Sequence, residues 1–155
     1  MSVTSLRPSN IVLNLENVLR SRVPASSNLC ADSRLINSGD VFMAYPVGAN
    51  EGMSDNRVHI PSALSSGAGV VLYEDSGWEE DKYPEARMAL ADERCVPVRG
   101  LSEIAGELAN RWYQMPSQEM QVIGITGTNG KTTVSHWIAQ TLGQVEATAV
   151  MGTLG

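Results

Sequence analysis

The residues best equipped for chemistry lie in one octapeptide, Thr126-Gly127-Thr128-Asn129-Gly130-Lys131-Thr132-Thr133, directly after the apolar run Val122-Ile123-Gly124-Ile125. Two glycines, a lysine and several short polar side chains suit an anionic polyphosphate. Glycine adopts positive φ without penalty, so the backbone can approach an anion closely. Successive N–H groups then form an anion-binding nest, and a helix beginning there adds its positive end. Lys131 can reach the β- and γ-phosphates, and the Thr132 hydroxyl can ligate Mg²⁺. The pattern predicts a nucleoside triphosphate site. Gly127, Thr128, Asn129, Gly130, Lys131, Thr132 and Thr133 would cradle the phosphates, Lys131 would be the catalytic cation and Thr132 the metal ligand. A plain glycine-rich turn is the alternative, but Lys131 gains nothing at the end of a buried strand without an anion to meet. The spacing departs from the general phosphate-loop pattern, because the position five before Gly130 is Ile125 and the glycines stand at Gly124 and Gly127.

This variant loop, TGTNGKTT, resembles the ATP loop of the Mur ligase family. Further segments continue the likeness in the family's order from about Leu29 onward. They are ADSRLINSGDVFMAYPVG (31–48), RVHIPSALSSGAGVVLYE (57–74), LSEIAGELANRWYQMPS (101–117) and AVMGTLG (149–155). Within the family they look most like the ligases that add the third amino acid to UDP-N-acetylmuramoyl-L-alanyl-D-glutamate in peptidoglycan synthesis. The resemblance implies an ATP- and Mg²⁺-dependent amide ligase acting through an acyl phosphate. Its partners would be the UDP-muramoyl dipeptide and an amino acid, with a lean toward meso-diaminopimelate over L-lysine. It implies that Ala31 and Ser33 contact the UDP-sugar, and that a loop beginning Gly48-Ala49-Asn50 closes over the uridine diphosphate. From residue types alone, Asp32-Ser33-Arg34 reads instead as a strand end with a solvated ion pair. The main departure follows Gly48. Family members run into Asp-Gly-Arg, whereas here Glu51-Gly52-Met53-Ser54 intervenes and the triplet is Asp55-Asn56-Arg57. Asparagine tolerates the left-handed conformation, so the turn survives, while the placement of Asn50 and Arg57 at a ligand stays open.

The elements that must hold these residues read as α/β. A small UDP-sugar-binding α/β domain is expected over residues 1–117. The first βαβ unit of a P-loop ATPase domain follows over 118–155, incomplete, so the chain reads as a piece of a larger enzyme and inactive alone. Ser9 or Asn10 would cap a first helix carrying Ile11, Leu15, Val18 and Leu19 on one face. Strands are expected at 29–32, 41–45, 69–73 and 96–99, a short helix at 59–66, and a polar loop at 46–57. Ser102 to Gln114 is the clearest helix, with Leu101, Ile104, Ala105, Leu108, Ala109, Trp112 and Tyr113 on its apolar stripe and Pro116 stopping it. Strand, loop, helix and strand over 120–155 would form the βαβ unit, with Val134, Trp137, Ile138, Thr141 and Leu142 on its helix face.

Bulk properties narrow the function classes. The 155 residues are 43% hydrophobic and 18% charged, enough apolar material for a core. A net charge of −6 argues against nucleic acid as a partner, since such surfaces are basic. No run approaches the ~20 apolar residues of a membrane span, so no membrane partner is expected and a cytoplasmic protein is. Cys30 and Cys95 have no metal-like spacing and read as reduced thiols. His59 and His136 read as surface residues, Arg111 as solvated, and the acidic run from Glu74 to Glu85 as a solvated loop. Three other readings remain: the family's ligase for the following step, another P-loop NTPase or kinase, or a non-catalytic UDP-sugar-binding module.

Overall fold

The structure, a computed structural model, describes residues 8–47, 54–78 and 83–152. The chain divides into two compact units, Met1–Pro116 and Ser117–Gly155.

In the first unit, α1 (Pro8–Arg22) precedes β1 (Leu29–Cys30), β2 (Val41–Ala44), β3 (Pro46–Val47) and β4 (Ser54–Asp55). Then come α2 (Ile60–Ser65), β5 (Val70–Glu74), α3 (Pro84–Ala89), β6 (Cys95–Val98) and α4 (Leu101–Trp112). β1, β2, β5 and β6 form one sheet in that order, every pair parallel. A parallel sheet needs cover on both faces, and side-chain alternation along the strands supplies two apolar surfaces. Val41, Met43, Val70 and Leu72 meet α1 and α4 through Val12, Leu15, Leu19, Leu108 and Trp112. Phe42, Ala44 and Val71 pack on the other side against Ile36, Ile60, Ala63 and Ala68. Close approach is enforced at Gly69, where a Cβ would lie 2.8 Å from Val23 Cγ1 and 2.9 Å from the Gly39 carbonyl oxygen.

Several expectations change on contact with the fold. The polar loop at 46–57 contains an antiparallel pair, β3 with β4, and a 3₁₀ turn over Asn56–His59. Asn10 lies inside α1, which begins at Pro8, and the buried stripe is Val12, Leu15 and Leu19 with Val18 exposed. The acidic stretch gives rise to α3, initiated by Pro84 at the first helical position. Glu74 is not solvated. It is buried, and its carboxylate accepts hydrogen bonds from the Gly100 and Leu101 N–H groups at 3.1 and 2.7 Å. Gly100 begins α4 in the left-handed conformation, φ 73°, without a side chain to cap it, so the carboxylate at the end of β5 does so. Burial works to raise the Glu74 carboxyl, but bonds from Ser76, Gly100 and Leu101 outweigh it and hold the group below its ordinary range. Arg111 is held rather than solvated, donating to Glu16 Oε2 at 2.9 Å across the α1–α4 contact. Only Trp112 of the aromatic pair is core; Tyr113 is exposed and its hydroxyl accepts from the Leu29 N–H at 3.0 Å.

The second unit holds α5 (Lys131–Leu142), no residue of which is buried. The strands expected at 120–125 and 145–151 are not formed among the described residues, so the βαβ unit is present only as its helix and loop. A strand exists through hydrogen bonds to a neighbouring strand, and an apolar run with no partner strand has nothing to pair with, whatever its propensity.

Candidate functional site

The C-terminal ends of parallel strands are where open α/β sheets bind ligands, and here two clefts open beside them. The larger, about 810 Å³, is lined among others by Ala31, Ser33, Arg34, Asn56 and His59. The other, about 650 Å³, is lined by Arg57, Glu74, Gly100 and Ser102 among others; Tyr45 and Val47 form a wall common to both.

The structure brings Ala31 and Ser33 together in the larger cleft. Cys30 ends β1, and Asp32 caps the 3₁₀ turn Ser33–Leu35 by accepting the Arg34 N–H at 3.0 Å. The same carboxylate binds the Arg34 guanidinium at 2.9 and 2.6 Å. That side-chain contact, seconded by the backbone bond, lowers the Asp32 carboxyl to about 2. The ion pair expected from residue types is therefore present, and it stiffens the turn that carries Ser33. Ser33 is buried, yet its hydroxyl bonds no other group among the described residues and borders the cleft. A short hydroxyl in such a place can donate to or accept from a ligand. Gly48, Ala49 and Asn50, the other candidates for the sugar nucleotide, lie outside the described residues.

Arg57 proves to be structural. It is buried, paired with Asp55 at 2.7 Å, and donates to the carbonyl oxygens of Glu74, Ser76 and Gly77 at 3.2, 2.7 and 3.1 Å. Its guanidinium carbon lies 4.4 Å from the Trp78 ring centre, so every donor direction and one face are occupied. Cys30 and Cys95 are free thiols, and burial pushes Cys95 up to about 11, which keeps it protonated and unreactive.

In the second unit Gly127 and Gly130 have φ of 141° and 78°, the positive values that the phosphate-loop reading requires. Gly130 is the N-cap of α5 and offers no side-chain cap, and the first N–H groups of any helix lack intrahelical acceptors. Lys131 Nζ folds back over the loop, donating to the carbonyl oxygens of Gly127 at 2.5 Å and Thr128 at 3.5 Å. The cation thus hovers over the turn whose amides are open. These residues fit a polyphosphate: uncapped amides, two glycines without a Cβ, and an ammonium bound only to carbonyls. Among the described residues no group of three or more His, Cys, Asp or Glu is placed to hold a metal. A Mg²⁺ at the Thr132 hydroxyl would draw its other ligands from phosphate and water, as Mg²⁺ commonly does.

Sequence reasoning passed over Tyr45, Asn56 and His59 as cleft residues. Their signal was position alone: Tyr45 follows β2, Asn56 follows β4 and begins the 3₁₀ turn, and His59 ends that turn just before α2.

The parallel sheet of the first unit, covered by helices and ending at its clefts, defines an α/β class of protein, and a glycine–lysine–threonine loop opens the helix of the second unit. No family model matches the chain. Relatives do. A UDP-N-acetylmuramoyl-L-alanyl-D-glutamate–2,6-diaminopimelate ligase of Ralstonia nicotianae is 48% identical over 139 residues, covering 88% of this chain and 26% of the relative. Ligases of the same name from Acidovorax and Pseudomonas putida are 38% and 39% identical, covering 88% and 87% of this chain. The chain belongs to the Mur ligase family, and these relatives are its diaminopimelate-adding members. It spans about a quarter of their length. A crystal structure of MurF ligase from Thermotoga maritima in complex with ADP shares the fold, with TM-score 0.53 and 22% identity over 78% of this chain and 24% of that one.

Proposed function

We propose that this chain carries the sugar-nucleotide-binding domain and the ATP loop of a ligase that adds meso-diaminopimelate to UDP-N-acetylmuramoyl-L-alanyl-D-glutamate. The observation that carries the reading is the loop. Its two glycines hold positive φ and its lysine stands at the head of a helix, in a chain with 48% identity to a ligase of that name. Bound ATP would supply the phosphoryl group that activates the dipeptide's carboxylate for attack by an amine. The chain's own part is electrostatic. Lys131 exchanges the Gly127 and Thr128 carbonyls for phosphate oxygens, the amides of Gly127 to Thr133 hold the phosphates, and Thr132 ligates Mg²⁺. Ala31 and Ser33, with the segment from Gly48 to Asn50, bind the UDP-sugar in the first unit.

One observation favours a narrower role for these residues by themselves: α5 has no buried residue. A nest held by little packing pays its ordering cost on binding. Calorimetric titration of the chain with the UDP-muramoyl dipeptide and, separately, with Mg·ATP tests both points. The sugar nucleotide should bind measurably and ATP weakly, with no amino-acid-dependent phosphate release. Micromolar ATP affinity together with absent sugar-nucleotide binding would reverse the assignment.

A further inference from the structure

We propose that Asn56 is a positioning residue that sets the wall of the larger cleft, a role that rests on the sugar-nucleotide reading of that cleft. Its side-chain Nδ2 donates to the Ala31 carbonyl oxygen at 2.9 Å, joining positions 25 apart in sequence. The direction is unambiguous, because a carbonyl only accepts and the amide nitrogen must face it. The base of this strut is fixed. On one side Asp55 accepts the Arg57 N–H at 3.0 Å and binds its guanidinium at 2.9 and 2.7 Å. Arg57 is in turn anchored on the carbonyl of Glu74, which ends β5, and on those of Ser76 and Gly77 beyond it. The Asn56 N–H itself reaches the Tyr45 carbonyl at 3.4 Å. Asn56 therefore spans from the ends of β2 and β5 to the end of β1.

Two consequences follow for the cleft. A peptide unit is planar, so holding the Ala31 carbonyl also fixes where the Asp32 N–H points. The turn that carries Ser33 starts from that peptide, and its orientation is set by Asn56. Second, Ser54 and Val47 line the same cleft from the hairpin side, so the strut fixes the gap between the two walls. A partly exposed hydrogen bond adds little to stability, but fixing a binding wall in advance removes an ordering cost from affinity.

The test is a double-mutant cycle on the full chain, read by calorimetric titration with UDP-N-acetylmuramoyl-L-alanyl-D-glutamate. Asn56→Ala should raise Kd about tenfold while moving the thermal midpoint by no more than a few degrees. In a Ser33→Ala background the same change should raise Kd less than about threefold, because the wall it orients has lost its hydroxyl. Equal Kd for wild type and Asn56→Ala would overturn the strut and leave the sugar-nucleotide reading standing. A full tenfold loss in both backgrounds would overturn action through Ser33. No binding by the wild-type chain would overturn both.

Discussion

The two units hold their candidate anion sites with very different amounts of structure. In the first, strands covered on both faces end at a cleft whose wall residues are tied by Asp32–Arg34, Asp55–Arg57 and Asn56–Ala31. In the second, the loop depends on backbone conformation and on one lysine folded over its own carbonyls, beside a helix without a buried face. A binding wall can be stiffened by buried ion pairs and hydrogen bonds or by glycine dihedrals alone. Only the first way brings cooperative stability with it, so mutations should act on folding in one unit and on chemistry in the other.

The largest effect is expected at Arg57. Arg57→Ala removes the buried half of the ion pair with Asp55 and takes the guanidinium donors from the Ser76 and Gly77 carbonyls, while the Glu74 carbonyl keeps the Trp78 Nε1–H. It should cost the first unit about 3–5 kcal/mol in denaturant unfolding; a loss under about 1 kcal/mol would break the contrast. Next comes Lys131→Ala. It should lower ATP turnover of the whole ligase at least about a hundredfold while leaving unfolding of the chain and sugar-nucleotide affinity unchanged. Parallel loss of both affinities would show that the two sites are not separate.

Glu74→Gln sharpens the comparison through pH. The wild-type carboxyl lies below its ordinary value of 4.5, so its contribution is complete above that value and is lost as pH falls through the lowered one. The variant should be less stable by about 1–3 kcal/mol at neutral pH, and the gap should close on acidification; a gap that widens toward low pH would contradict the capping role. The smallest effect belongs to α5. Trp137 is 65% exposed, so Trp137→Ala should change the unfolding free energy of this chain by less than about 0.5 kcal/mol.

Much of the first unit was legible because periodicity reports burial: the stripe from Leu101 to Trp112 and the runs at 41–45 and 69–73 each became what their spacing implied. The backbone of the loop proposed for phosphate was legible for a different reason, since positive φ at Gly127 and Gly130 is a local property of glycine. What stayed hidden is set by distant partners. Nothing beside Glu74 in sequence says that it will cap a helix beginning at Leu101, and Arg111 meets Glu16 across 95 positions. The same rule explains the strands of the second unit. The run Val122 to Ile125 has the right composition, but pairing is not a property of one segment. Asn56 shows the limit for sites: its residue type signalled a turn, and its use as a strut appears only when Ala31 is folded beside it.

The claim that the sugar nucleotide is held by the first unit is tested most directly by amide hydrogen exchange of the full chain with and without UDP-N-acetylmuramoyl-L-alanyl-D-glutamate. Ligand should slow exchange in peptides spanning 29–35 and 45–57 and leave 122–134 unchanged. Protection confined to 122–134, or none at 29–35 under saturating ligand, would contradict the account.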